Sequence, residues 1–185
     1  MSKFLQSRVS EFDPEEYGIS LPLTVTQLRS LVPGNFYLLD IQPDESSSMG
    51  RCILMLHEKG LFVFSHCEQD GILYGDTVEE TWTSFNYLGD STTFPSPYRE
   101  SQRNISILSE LLKLPKGEFC ACLLFGNQCE LRKVPNNSDC LQLIYTDEVE
   151  AHFAKLLPTL PVLYSPTQLS ALRDIFLLVT AADNP

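Results

Sequence analysis

A mixed α/β (α+β) fold, with a central mixed sheet flanked by helices, follows from three features of this 185-residue sequence. Two apolar runs, 52–57 and 61–67, are joined by the turn Glu58-Lys59-Gly60, a hairpin signature. A third run, Phe119 to Phe125, is apolar without interruption, as expected for a strand buried on both faces. Between and after these runs lie leucines, isoleucines and phenylalanines at helical spacing, around 105–112 and 169–176.

In chain order, residues 1–20 read as a polar, irregular segment. Thr24-Val25-Thr26-Gln27 has the form of a capping box, so a helix follows it with Leu28, Leu31 and Val32 and ends at Pro33-Gly34. Phe36 to Ile41 is the first strand, and the serine-rich stretch 43–50 a loop. The 52–57 and 61–67 hairpin completes a three-stranded meander. Gly71 to Gly75 follows a turn, then a less regular stretch holds Trp82, Phe85 and Tyr87, and 90–99 reads as loop. A helix is expected from near Ser101 to Leu114, with Ile105, Leu108, Leu111 and Leu112 on one stripe. After the 119–125 strand, 131–134 and 141–145 read as two more. Thr146-Asp147 then opens a helix that Pro158 stops. Ser165-Pro166-Thr167-Gln168 opens the last one, with serine at the cap, proline in the first turn and glutamine completing the box. The expected division is a polar segment 1–20, an α/β domain 21–160 and a C-terminal helix 161–185 packed on it.

Composition narrows the class. The chain is 43% hydrophobic and 20% charged, which suits one domain with a core of its own. A net charge of −11 opposes tight nucleic-acid binding, which draws much of its affinity from phosphate neutralisation. The same charge serves solubility, or the engagement of a basic partner. No apolar run approaches the roughly 18 residues of a membrane span. Met1 to Gln6 lacks the basic-then-apolar pattern of a signal peptide. Cys52, Cys67, Cys120, Cys122, Cys129 and Cys140 lie mostly in apolar runs and read as reduced, packed thiols, which implies a cytoplasmic protein.

The hairpin carries the most information. Gly60-Leu61-Phe62-Val63-Phe64-Ser65-His66-Cys67 is followed by Gly71-Ile72-Leu73-Tyr74-Gly75, then Trp82, then Phe94-Pro95-Ser96-Pro97, then Asn104-Ile105-Ser106-Ile107-Leu108. This arrangement resembles the nuclease-related domain (NERD) family, a branch of the PD-(D/E)xK restriction-endonuclease-like fold, over roughly residues 24–157. Family members have an Asp-led strand, a turn ending in Gly and an apolar strand ending in Glu-x-Lys. A Gly-x-x-x-Gly stretch, a Trp, an Asn-Pro-x-x-Gln motif and a helix follow. In such a site an Asp and a Glu on adjacent strands hold a divalent cation through oxygen ligands, and the cation activates a water. The Lys lies two residues from the Glu, on the same side of the strand, and steadies the developing anion.

This sequence departs at each of those positions. The strand that should begin with Asp reads Arg51-Cys52-Ile53, the Glu position falls on Ser65, and the Lys position falls on Cys67. Ser96 replaces the Asn, Pro97 is kept, and Glu100 takes the Gln position. A hydroxyl and a thiol do not replace the charges that hold Mg²⁺. The resemblance therefore implies the scaffold without its metal ligands.

Asp40, Glu68 and Asp70 (with Glu58) lie near the ends of these strands as candidate displaced acids, but acids are also ordinary turn residues. Cys67 follows His66, and a Cys-His pair can serve as nucleophile or half a zinc site; packed thiols are the plainer reading. His152 likewise reads as a partly buried histidine. Arg99, Arg103, Lys113 and Lys116 cluster about one helix, as candidate phosphate contacts or as an ordinary solvated face. No Gly-rich phosphate loop and no Gly-x-Ser-x-Gly is present.

The expected function is thus a catalytically silent, nuclease-like module that binds another protein. Its cleft would lie near Cys52, Ser65, Cys67, Trp82, Pro97 and Glu100, with no cofactor. Two alternatives stand beside it. One is a Mg²⁺- or Mn²⁺-dependent DNA or RNA nuclease with displaced ligands. The other is an acidic interaction protein unrelated to nucleases.

Overall fold

The computed structural model describes residues 28–30, 32–42 and 48–182. Among the described residues, nine strands form two sheets. They are β1 (Phe36–Ile41), β2 (Cys52–His57), β3 (Gly60–Cys67), β4 (Gly71–Tyr74), β5 (Thr81–Phe85), β6 (Ser91–Pro95), β7 (Phe119–Phe125), β8 (Cys129–Leu131) and β9 (Leu141–Tyr145). The helices α1 (Pro97–Leu112), α2 (Val149–Leu156) and α3 (Pro166–Ala182) complete the described elements, with short 3₁₀ turns at Lys116–Glu118 and Leu157–Thr159.

The larger sheet runs β1-β2-β3-β7-β9. Its first three strands are an antiparallel meander, and β7 joins β3 in parallel after the crossover through α1. β9 is parallel to β7. The mixed sheet and its helices are the architecture that the sequence predicts. Every residue of β2 and β7 is buried, because both faces of this sheet are covered. On one face α1 and α3 bury Ile105, Leu108, Leu169 and Phe176 against Leu54, Leu56, Leu61 and Val63. On the other, Phe153 of α2 and Leu28 pack on Ile53, Met55, Phe62 and Phe64, with Phe153 edge-on to Phe62 at 5.4 Å between centroids. The alternation of these two residue sets along β2 and β3 is the period of two that a pleated strand imposes.

The smaller sheet, ordered β6-β5-β4-β8, is where expectation and structure part. The stretch around Trp82 and Phe85 is a strand, and 91–95 pairs with it antiparallel from Thr81↔Pro95 to Phe85↔Ser91 rather than forming a loop. Exposed Ser91, Thr92 and Thr93 on an edge strand bury too little to leave an alternating apolar signal. Trp82 is wholly buried, donates its indole N–H to the Asp76 carbonyl at 2.9 Å and lies parallel to Phe125. Trp82 thereby joins the small sheet to the core of the large one.

Three boundaries also differ. α1 begins four residues earlier than expected, at Pro97, with the Ser96 hydroxyl accepting the Arg99 N–H at 3.4 Å; a serine cap followed by proline at the first position is itself a start signal. β8 spans Cys129–Leu131 rather than 131–134. α2 is capped at Glu148 without a side-chain hydrogen bond, so Thr146-Asp147 does not cap it. The C-terminal box forms as read: the Ser165 N–H donates to Gln168 Oε1 at 2.8 Å and the Gln168 N–H donates to Ser165 Oγ at 3.3 Å. α3 then packs on β1, β2 and α1. The proposed cap Thr24 to Gln27, Leu31 and the segment 1–20 lie outside the described residues.

Candidate functional site

The site lies where β2 begins, β3 ends and α1 begins. β2 and β3 are antiparallel, so the start of one adjoins the end of the other. α1 returns the chain across the sheet for the parallel β7, and a helix in such a crossover runs counter to the strands it links. Its N-terminal turn therefore falls beside Cys67.

One step beyond the pair Ile53↔Phe64, the same register sets Cys52 across from Ser65. Cys52 and Cys67 belong to the core on the α1 side, and Ser65 shares their face by alternation. Cys52, Cys67, Pro97 and Glu100 line one pocket of roughly 360 Å³, with Arg51, Ile53, Phe64, His66, Glu68 and Phe94 completing much of its wall. Ser65 lies between two of its lining residues, is 6% exposed, and its hydroxyl has no hydrogen-bond partner. Of the four positions at which the resemblance puts Asp, Glu, Lys and Gln, Cys52, Cys67 and Glu100 thus share one pocket, and Ser65 is buried outside its lining.

Electrostatically the pocket is thiol-lined and carboxylate-rimmed. Burial pushes the Cys52 thiol far above its ordinary value, and the negative fields of Asp40 and Glu100 push it further. Cys67 is raised first by burial, against the opposing hydrogen bond of the Gln69 backbone, with the fields of Glu100 and Glu68 adding less. Both thiols are protonated at neutral pH and are poor nucleophiles, since the thiolate is the reactive form. The Cys-His reading therefore finds no activated sulfur here. His57 stands at the far end of the hairpin, buried, with Nε2 3.0 Å from the Pro33 carbonyl and Nδ1 accepting the Lys59 N–H at 3.1 Å. His152 bonds Gln142 Oε1 at 2.8 Å, on the opposite side of the sheet.

The candidate displaced acids separate. Glu68 lines the pocket. Asp40, on β1, takes the Gln42 side-chain amide at 2.9 Å and the Arg51 guanidinium at 3.6 Å, while its Oδ1 is buried without a partner. Asp70 is an exposed turn residue that does not line the pocket. Trp82 is core, not cleft. Arg99 donates to the Val78 carbonyl at 2.6 Å, and with Arg103, Glu80 and Glu100 it borders a separate polar hollow beside the N-terminal half of α1. Among the described residues no group of three or more His, Cys, Asp or Glu is arranged to hold a metal ion, and no helix is long and apolar enough to cross a membrane.

Two features were missed by sequence reasoning. Gly50 lies against Glu100, where an added Cβ would meet Oε1 at 2.0 Å, and its N–H donates to Asn104 Oδ1 at 2.9 Å. This contact ties the start of β2 to α1. Ser101 and Asn104, both wholly buried under α1, each leave one polar atom unpaired. Polar residues interrupting the apolar stripe of a helix are the signal that could have marked them.

No family model, curated protein or solved structure matches this chain.

Proposed function

We propose that this chain is a catalytically silent, NERD-like module of the PD-(D/E)xK type that acts by binding another protein through the pocket at Cys52, Ser65, Cys67 and Glu100. One observation carries the reading. Cys52 and Cys67, at the Asp and Lys positions of the resemblance, line one pocket with Glu100, Ser65 at the Glu position is buried between two residues of its lining, and all three positions that would supply the metal ligands and the ammonium bear uncharged side chains. The order of the chain supports it too: the hairpin, then Trp82, then a proline-started helix, follows the succession of motifs the resemblance implies. A phosphodiester-cutting centre needs fixed charge around a cation. A buried hydroxyl and two protonated thiols supply none.

The test is incubation of the purified protein with Mg²⁺ or Mn²⁺ and single- and double-stranded DNA and RNA. The expected result is no cleavage above a heat-treated control. Cleavage that chelation abolishes and Glu68→Ala removes would reject the reading.

A displaced-ligand nuclease has one observation in its favour: Asp40 and Glu100 both project negative field onto the Cys52 sulfur. Calorimetry decides between the two, since that reading requires Mn²⁺ binding that falls in Glu100→Gln. The partner reading requires none.

A further inference from the structure

We propose that the chain pairs with a second copy of itself through the outer face of α3, the two helices lying antiparallel across a two-fold axis. The proposal is independent of the pocket and of the silent-module reading.

α3 is apolar on two sides. Leu169, Leu172, Phe176 and Thr180 form its buried row, and the helix packs on β1, β2 and α1. Ala171, Ile175 and Leu178 lie about half a turn away around the axis, at 3.6 residues per turn. A helix covered on one face carries its polar residues there. Here Leu178 is 71% exposed, Ile175 41% and the neighbouring Val179 37%, and Ala171 is exposed too. Arg173 turns away from this row, with its guanidinium 4.7 Å from the Tyr37 ring centre. Single exposed apolar side chains are ordinary, whereas a contiguous row marks an interaction surface.

The spacing says what covers it. Steps of four and three residues, from 171 to 175 to 178, are those of a seam between two helices. A two-fold contact must also be self-complementary, each residue meeting one that meets it in return. With the axis passing between Ile175 and Leu178, Ile175 meets the partner's Leu178, and Leu178 meets the partner's Ile175. The two largest side chains of the row then fill the centre. Ala171, being small, lets the helices stay close toward their ends. The row itself carries no charge, so two chains of net charge −11 can meet there without burying one.

The area sets the strength. α3 has 17 residues, which makes it about 25 Å long and about 10 Å wide with its side chains. A contact along its length covers on the order of 300–500 Å² per protomer, below the ~800 Å² per partner of a standard stable complex. The pairing is therefore weak and reversible, with a Kd on the order of 10–100 μM. The like net charge of the two copies opposes it, and salt screens that repulsion.

Sedimentation equilibrium of the full chain, from micromolar to near-millimolar concentration, tests the proposal. A monomer–dimer equilibrium is expected, and added salt should tighten it. Leu178→Glu should weaken it about tenfold or more, because a two-fold contact places the new charge at two points of one seam. Leu178 is exposed, so this variant should keep the wild-type far-UV spectrum and urea midpoint. Leu88→Glu is the control: Leu88 is 90% exposed in the turn between β5 and β6, and its replacement should leave the equilibrium unchanged. Cysteine pairing in a Cys140→Ser background reads the orientation. Ile175→Cys protein mixed with Leu178→Cys protein should cross-link under mild oxidation far more than either variant alone. A monomer at every concentration, a dimer untouched by Leu178→Glu, or one abolished by Leu88→Glu would overturn the proposal. So would cross-linking that is strongest within a single variant, the result of a parallel pair.

Discussion

Gly75 lies flush against the Trp82 indole: a Cβ built on it would sit 2.2 Å from the ring. Trp82 has nowhere to retreat, being wholly buried, parallel to Phe125 and hydrogen-bonded to the Asp76 carbonyl. Gly75→Ala should therefore destabilise the fold by about 1–3 kcal/mol, the usual cost of overpacking a core. Gly117→Ala is the control, because nothing lies within 4 Å of its would-be Cβ; it should be neutral or slightly stabilising. Urea unfolding followed by Trp82 fluorescence measures both. Equal midpoints for the two variants would contradict the packing described here.

Stability should fall as the solution is acidified below about pH 6.5. Burial holds the His57 imidazole below its ordinary value of 6.5, with the Pro33 hydrogen bond acting the other way. Its neutral form is fully used: Nε2–H donates to Pro33 and Nδ1 accepts from Lys59. A second proton would have to enter at Nδ1 and evict that N–H. The unfolded chain thus binds this proton more readily than the native one, so stability rises with pH through the window between the two pKa values. The contribution is complete above the unfolded value and is lost as pH drops through 6.5 toward the folded value. His152 is lowered in the same direction, also first by burial. Each unit of depression is worth ~1.4 kcal/mol at the acid end. Urea midpoints at pH 5.5, 6.5 and 7.5, with NMR titration of the His57 ring, check it. A flat profile, or a ring titrating above 6.5, would refute it.

Thiol chemistry should report the burial pattern directly. All six cysteines are free, five are buried and Cys140 is exposed. Cys129 is raised to about 11 by burial and by the neighbouring Cys67 and Asp70, and Cys122 is raised mainly by burial. With an aromatic disulfide reagent at pH 8, the native protein should release one equivalent of thiol quickly. Cys140→Ser should remove that phase, and denaturant should expose all six. A fast phase that survives Cys140→Ser would mean that Cys67 is open through the pocket and deprotonated.

Much of this fold was legible in the sequence because the large sheet is buried on both faces. Cys52 to Leu56 of β2, Leu61 to Phe64 of β3 and all of β7 are apolar runs, and the Ser165–Gln168 box states its own hydrogen bonds. The small sheet was not legible. Ser91 to Thr93 lie on an exposed edge, and β5 places Thr81, Thr83 and Phe85 on its more exposed side, so pairing rather than hydrophobic pattern defines both strands. For the site, the cross-strand relation of Cys52, Ser65 and Cys67 could be reasoned from strand alternation, and Glu100 from the motif after Pro97. Trp82 could not be placed: a tryptophan near a cleft in sequence can fill the core behind it. Ser101 and Asn104 show in the sequence only as polar interruptions of an apolar stripe.

Introducing charge at Cys52, Ser65 and Cys67 is the sharpest test of the register. Ser65→Glu alone would bury a carboxylate at a position 6% exposed, beside the fields of Glu100 and Asp40 that already act on Cys52. It should destabilise by several kcal/mol or hold the new acid protonated, because an unpaired buried charge is expensive. Adding Cys52→Asp brings a second carboxylate across the strand pair and should worsen this, since two like charges share one small site. A divalent cation would reverse the sign, neutralising both at once. Adding Cys67→Lys completes the set of charges. The triple variant should then gain thermal stability on addition of Mn²⁺, rising with metal concentration as binding to the native state alone requires. The wild-type protein should not respond. If the triple variant folds, as judged by its far-UV spectrum, and Mn²⁺ leaves its Tm unchanged, Cys52, Ser65 and Cys67 do not occupy the ligand positions of such a scaffold. A wild-type response equal to that of the variant would instead place the metal elsewhere in the chain.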